Sequence, residues 1–319
     1  MMKDSNRLGD LSSSEQLIRD LYIDLRKKVN YWASQTKQTA QARMGYVGQH
    51  LVSVVTGYSG GKSGARGKDL ILNADDYAEI KTCYRVDQLG KCLDCHSVVA
   101  SIELKCAYCN SENIERKQDS KWLLSIRNDD EFEKILEPKF YYLVLFDLQN
   151  IKNPNKIRAS IWKVDSHNIG FVYCMIDYYL NIRSKSKSKA PFNLWPFQLK
   201  FYLMLPKLIY RSYILDNNIK TEIFHKEDHI IDFPKPFHSY SSASNLTKEK
   251  VIEFAQSIGF EGNKDLDKKE LILQVDTFMK DSGGFNEQRV MQLAKSLYYR
   301  DIKEHMRKIP KKFRKFISL

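Results

Sequence analysis

Apolar positions recur at helical spacing in the first part of the chain. From Ser14 to Val29, residues Leu17, Ile18, Leu21, Tyr22 and Leu25 fall on one stripe behind a serine suited to an N-cap. A second helix is predicted from Tyr31 towards Val55. The pattern then breaks. A glycine-rich stretch leads into two short strand-like runs, Asp69 to Leu72 and Tyr77 to Cys83, with the turn formers Asn73, Asp75 and Asp76 between them. Helical character resumes near Asp119, in DSKWLLSIRNDDEFEKILE. The runs FYYLVLFDL (Phe140 to Leu148) and KIRASIWKV (Lys156 to Val164) predict longer strands, and SKSKSK (Ser184 to Lys189) a solvated loop. Beyond about Asn245, Thr247 is a good N-cap. Val251, Phe254, Ala255 and Ile258 form one apolar face, Gly259 can end that helix, and Leu271, Ile272 and Val275 form a second face.

Composition narrows the class. The 319 residues leave room for about two domains, and a 43% apolar content can supply a core. A net charge of +12 favours an anionic partner, nucleic acid before an anionic membrane. No signal core and no run of ~18 apolar residues is present, so a soluble, cytoplasmic protein is expected. The six cysteines are then expected to be reduced.

The stretch VVTGYSGGKSGARGKD, Val54 to Asp69, contains Gly61-Lys62-Ser63 and invites comparison with a phosphate-binding P-loop. That motif needs a glycine six residues before the lysine. Thr56 stands there, and Gly57 is one position late. The glycines are better suited to a tight turn or to close approach to another backbone or a phosphate. What the loop delivers is Asp69, followed by Glu79-Ile80-Lys81. Strand periodicity puts Glu79 and Lys81 on one face and Ile80 on the other. Two carboxylates can hold a hard divalent cation, and a nearby lysine can orient water and offset phosphate charge. If the two runs form an antiparallel hairpin with Asp69 opposite Lys81, then Ile71 faces Glu79 and Asn73 faces Tyr77, leaving Ala74, Asp75 and Asp76 as the loop. Asp75 and Asp76, the other acids nearby, suit that turn better than a metal site.

DLILNADDYAEIKTC resembles the active-site hairpin of the PD-(D/E)XK nucleases, with Asp69, Glu79 and Lys81 at the three motif positions and Lys68 in place of the proline. The order helix, hairpin, helix, strand is also similar, whereas a strand before Asp69 is not evident. The resemblance implies an α/β PD-(D/E)XK core. It implies that Asp69 and Glu79 bind Mg2+, with the Ile80 carbonyl as a further ligand, and that Lys81 positions water. It also implies products with a 5′-phosphate and a 3′-hydroxyl.

KCLDCHSVVASIELKCAYCN pairs Cys92-x2-Cys95 with Cys106-x2-Cys109. Two such knuckles suit tetrahedral Zn2+, the intervening VVASIEL can form a short hairpin, and His96 stands beside a ligand. Cys83 and Cys174 are expected to be buried thiols. The zinc unit, at about 88–115, reads as an insertion that either scaffolds the core or reads bases. GARGKDL before EIKTC, with a cysteine ribbon after it, is similar to the MamI-type restriction endonucleases.

The organisation expected is therefore a nuclease core over 1–240, carrying the zinc ribbon, and a helical region over 241–319. The helical pair there is similar to a SAP-like DNA module, but the match is generic and plain helical packing is the preferred reading. The basic stretch Lys303 to Lys315 reads either as a solvated tail or as one that tracks phosphates. Candidate DNA contacts are Lys62, Arg66, Lys91, Lys105, Arg116, Lys311, Lys312 and Arg314. The function expected is a type II restriction endonuclease acting on double-stranded DNA, as a homodimer, beside a cognate DNA methyltransferase. The alternatives are a modification-dependent or repair nuclease of the same superfamily, or a non-catalytic zinc-ribbon nucleic-acid-binding protein.

Overall fold

The computed structural model describes residues 8–38, 40, 45–61, 68–151, 153–187, 190–196, 200–201, 204–228, 247–257, 260–281 and 311. They divide into two compact units that do not follow chain order. The first contains Met1–Trp122, Phe140–Lys163 and Leu208–Glu227, and the second Leu123–Lys139, Val164–Lys207 and Asp228–Leu319. The boundary expected near residue 240 lies outside the described residues.

The first unit opens with α1 (Leu11–Ile18), a π-helical segment (Arg19–Asp24) and α2 (Leu25–Thr36). Asp10, not Ser14, is the N-cap: its carboxylate accepts from the Ser13 amide, and Ser14 is buried. The π segment shifts the phase of the stripe. Ile18 and Tyr22 remain in the core, while Leu21 and Leu25 turn to the surface. The second helix predicted from Tyr31 to Val55 is not continuous. α2 stops at Thr36, with Lys37 in the left-handed region, and α3 spans Gly45–Thr56.

A sheet with the strand order β1-β2-β7-β8-β10-β11 forms the body of this unit. Its strands are β1 (Leu70–Ile71), β2 (Tyr77–Tyr84), β7 (Phe140–Asn150), β8 (Asn153–Asp165), β10 (Lys207–Leu215) and β11 (Asn218–Asp228). β1 and β2 are antiparallel; β2 and β7 are parallel, from Ala78↔Phe140 to Tyr84↔Phe146. β7 is buried from Tyr141 to Leu148, as expected of a strand covered on both faces. One face carries Ala78, Ile80, Tyr142, Val144 and Phe146, which share a core with Ile18, Tyr22, Val47, Leu51, Val52 and Val55 from the helices. α3 approaches β2 closely because residue 48 is glycine: a Cβ there would collide with the Thr82 side chain. On the other face, a buried Asp147–Arg158 pair bonds through Nε at 3.1 Å and Nη2 at 2.7 Å.

Between β2 and β7 lies the cysteine unit, a three-stranded sheet of order β4-β3-β5 built from β3 (Leu89–Cys92), β4 (Val98–Ala100) and β5 (Ile114–Glu115). VVASIEL does not fold back on itself as predicted. Val98–Ala100 pairs with Leu89–Lys91, and Ser101 and Ile102 form a turn.

The helix expected from Asp119 begins later. Trp122–Leu124 is strand β6, with alternating burial, and Trp122 Nε1 donates to the Val144 carbonyl at 2.8 Å. α4 spans Asp129–Leu136 in the second unit, capped by Asn128, whose side chain accepts from the Glu131 amide. That unit also holds α5 (Ile169–Tyr178), buried from Gly170 to Tyr178, and β9 (Phe192–Leu194), which pairs with β6. It further holds α6 (Lys248–Ser257) and α7 (Lys268–Asp281). Val251, Ala255, Leu271, Ile272 and Val275 are buried there, as their spacing predicts. Gly259 and Ile258 lie outside the described residues. No helix is long and apolar enough to cross a membrane among the described residues.

Candidate active site and metal centre

The glycine-rich stretch works as a backbone contact. Ser59 to Gly61 runs along the outer edge of β1: the Ile71 amide donates to the Ser59 carbonyl at 3.0 Å, and Gly60 bridges Leu70. A Cβ on Gly61 would collide with the Lys68 carbonyl. This single bridge occupies the position beside β1 where the sequence shows no evident strand.

The hairpin register differs from the prediction. Leu70 pairs with Ala78 and Ile71 with Tyr77, so continuing the ladder puts Asp69 opposite Glu79 rather than Lys81. The turn sets this. The Asn73 side-chain oxygen accepts from the amides of Asp75 (2.9 Å) and Asp76 (2.8 Å), and the Leu72 amide bonds the Asp76 carbonyl. Asp75 and Asp76 are thus turn residues. A slip of two residues preserves the face, so Asp69 and Glu79 still project to the same side.

The chain leaves the sheet at Lys68, and the Asp69 side chain takes over where the ladder stops. Its Oδ2 accepts from the Ile80 amide at 2.9 Å, and its Oδ1 accepts from Gln49 Nε2 at 3.0 Å. Lys81 Nζ donates to Glu79 Oε1 at 2.6 Å, with the two side chains 30% and 26% exposed, so solvent reaches the site. Burial first, and then the charge of Glu79, push the Asp69 carboxyl above its ordinary value, against the Ile80 amide and Lys81. Two carboxylates crowded at a half-buried strand end form an oxygen donor set that a hard cation would relieve.

The four cysteines converge. The sulfurs of Cys92, Cys95, Cys106 and Cys109 all lie within 4.8 Å of one another, with Cys92–Cys109 and Cys95–Cys106 both at 3.6 Å. A zinc ion with bonds of about 2.3 Å would hold its sulfurs about 3.8 Å apart, so the residues fit this metal. The knuckles repeat each other. His96 and Asn110, which follow the second cysteine of each, have φ of 64° and 60°. Their amides donate to the carbonyls of Cys92 (3.0 Å) and Cys106 (2.9 Å). Asp94 ties one knuckle to the loop after the other through Ser111 and Asn113, whose hydrogen bonds, Ser111 first, lower its pKa. Hydrogen bonds led by the Ser97 side chain lower the Cys95 thiol to about 6. At Cys109, the Ser111 amide favours the thiolate, yet crowding by the neighbouring sulfurs carries the value up to about 12. Cys83 and Cys174 are buried, as expected, and burial pushes each thiol up to about 12.

The cysteine unit is bound to α2. Arg26 and Asn30 both reach the Glu103 carboxylate, Arg26 also pairs with Asp87, and Tyr108 donates to the Gln38 carbonyl at 3.1 Å.

The family model of the MamI restriction endonucleases matches residues 31–238, a span that contains both the hairpin and the cysteine knuckles. The chain belongs to the MamI restriction endonuclease family. The type II restriction enzyme MamI of Microbacterium ammoniaphilum is 24% identical over 182 residues, 55% of this chain and 53% of that protein. The chain thus spans about half the length of this relative. No solved structure matches it.

The candidate DNA contacts are scattered. Lys62, Arg66, Lys312 and Arg314 lie outside the described residues, and Lys311 is exposed. Lys91 is exposed on β3, and Lys105 pairs with Glu112 at 3.3 Å. Arg116 points inward and donates to the carbonyls of Ile114 (3.2 Å) and Glu103 (2.8 Å). Sequence reading missed Gln49 and Glu103. Neither belongs to a motif, and their partners lie 20 and 77 residues away in the chain.

Proposed function

We propose that this member of the family is a PD-(D/E)XK endonuclease that cuts double-stranded DNA at a specific site, as a type II restriction enzyme. The observation that carries the reading is the shared face of Asp69 and Glu79 at the open end of the β1–β2 hairpin, with Lys81 bonded to Glu79. Asp69 and Glu79 would hold Mg2+. The Ile80 carbonyl points to the same strand side as the amide that Asp69 engages, which supports it as a further oxygen donor. When bound, Mg2+ would polarise the scissile phosphate and neutralise charge that develops on it. Lys81, steered by Glu79, would orient the attacking water and donate to a phosphate oxygen. Attack in line with the 3′-oxygen would leave a 5′-phosphate and a 3′-hydroxyl. The parallel β2–β7 pair, the helices on one face and the Ser59–Gly61 edge segment support the PD-(D/E)XK core. Zn2+ on the four cysteines would serve structure, since the unit is tied to Arg26 of α2 through Glu103 and to Gln38, just beyond α2, through Tyr108. Acting as a homodimer would allow both strands of a symmetric site to be cut, and a methyltransferase of the same specificity would protect host DNA.

Digestion of plasmid and phage DNA tests this reading. Discrete fragments that appear with Mg2+, vanish with a chelator and vanish in Asp69→Asn are expected. A smear would favour a general nuclease. Binding without cleavage in any divalent metal would sink the enzymatic reading in favour of a zinc-ribbon binding protein.

A further inference from the structure

Gln49 is the side chain at the candidate site that no sequence motif includes. It sits on α3, whose neighbouring residue Gly48 lets the helix rest against Thr82 of β2. That close approach brings the Gln49 amide to 3.0 Å from Asp69 Oδ1, while the Ile80 amide holds Oδ2 at 2.9 Å. One donor comes from the helix layer and one from the sheet, so the carboxylate is fixed at both oxygens. A carboxylate oxygen has lone pairs for more than one partner, so a hydrogen bond to Asp69 Oδ1 leaves room for a cation. With the Ile80 amide alone, the carboxylate could still swing about its Cβ–Cγ bond. The second donor removes that freedom.

We infer that Gln49 is a positioning residue: its amide orients Asp69 so that the carboxylate meets the metal shared with Glu79. This inference rests on the reading of Asp69 as a metal-binding carboxylate. Outer groups that orient a ligating side chain typically contribute about 10–100-fold to metal affinity. Gln49→Met keeps the approximate length and helix propensity of the side chain and removes its carboxamide, including the NH2 that donates to Asp69.

Zinc-loaded Gln49→Met and Asp69→Asn proteins are titrated with Mn2+ by calorimetry without DNA, melted thermally, and assayed for cleavage over a range of Mg2+ and DNA concentrations. Gln49→Met should bind Mn2+ about 10–100-fold more weakly. It should need correspondingly more Mg2+ for half-maximal cleavage, with the KM for DNA and the melting midpoint unchanged. Mn2+ affinity within twofold of wild type would overturn the inference. So would a lowered midpoint with raised KM, which would mark Gln49 as a mere helix-packing residue. Wild-type Mn2+ binding and cleavage in Asp69→Asn would overturn the reading of Asp69 itself, and the role of Gln49 with it.

Discussion

Asp69 contributes little to its own strand, since β1 is described only over Leu70–Ile71, yet its side chain is held by two donors and crowded by Glu79. A residue so constrained at an exposed edge is expected to matter to chemistry more than to stability. Asp69→Asn, Glu79→Gln and Lys81→Met should each reduce Mg2+-dependent cleavage by about a thousandfold or more, because several kcal/mol of metal and water positioning is lost. Circular dichroism and zinc content should be unchanged. Full activity in Asp69→Asn would place the site elsewhere. The common face of Glu79 and Lys81 was legible, because two-residue periodicity projects them together whatever the exact pairing. The register itself was not legible. It depends on one side chain, Asn73, capping two amides, and the expected Ala74–Asp76 loop was displaced by that cap. The error was even-numbered, so the face survived it. Gln49 was illegible for a different reason: its contact depends on how closely α3 packs, and Gly48 means nothing in this respect until Thr82 is seen beneath it.

At the scale of elements, the cysteine unit shows how much spacing can reveal and where it stops. Paired C-x2-C knuckles anticipated the convergence of four sulfurs, but not the pairing of β3 with both β4 and β5, nor the attachment to α2 through Glu103. Gly90 is needed for that pairing, since a Cβ there would collide with the Glu115 carbonyl. Gly90→Ala should therefore lower the melting midpoint and the zinc content together. Loss of stability with full zinc would show that β3 can shift without disturbing the knuckles. Thiol titration at pH 8 provides a separate check. Buried Cys83 and Cys174, with pKa values pushed up to about 12, carry almost no thiolate at that pH and should stay silent in the native protein. A strong chelator should expose Cys92, Cys95, Cys106 and Cys109 to the reagent, because such small units fold around their metal. Reactivity of all four before chelation would rule out a bound ion. β6 was misread as helix for want of context: Trp122 takes a strand position because its indole reaches the Val144 carbonyl, a partner 22 residues ahead in the chain.

For the whole molecule, the charge balance remains the clearest property of the sequence: 51 Lys and Arg against 39 Asp and Glu. The structure spends some of these cations internally. Arg158 is buried on Asp147, Arg26 is fixed between Asp87 and Glu103, and Arg116 faces backbone carbonyls. Not every basic residue is therefore free to meet phosphate, and a DNA footprint must draw on the exposed remainder. Cations that neutralise phosphates release condensed counterions, so the logarithm of the binding constant falls with log salt at a slope of about −0.9 per contact. Asp69→Asn protein, which should bind without cutting, ought to show a steep negative slope on a duplex that carries its site. Removal of the segment from Lys303 onward, which holds Lys303, Arg307, Lys308, Lys311, Lys312, Arg314 and Lys315, should make that slope shallower if those residues track the backbone. Specific and non-specific duplexes should be affected alike, because phosphate contacts carry no base information. An unchanged slope would return the segment to a solvated tail and shift the phosphate contacts onto the exposed lysines of the folded units. A slope near zero for the full-length protein would remove nucleic acid as its partner.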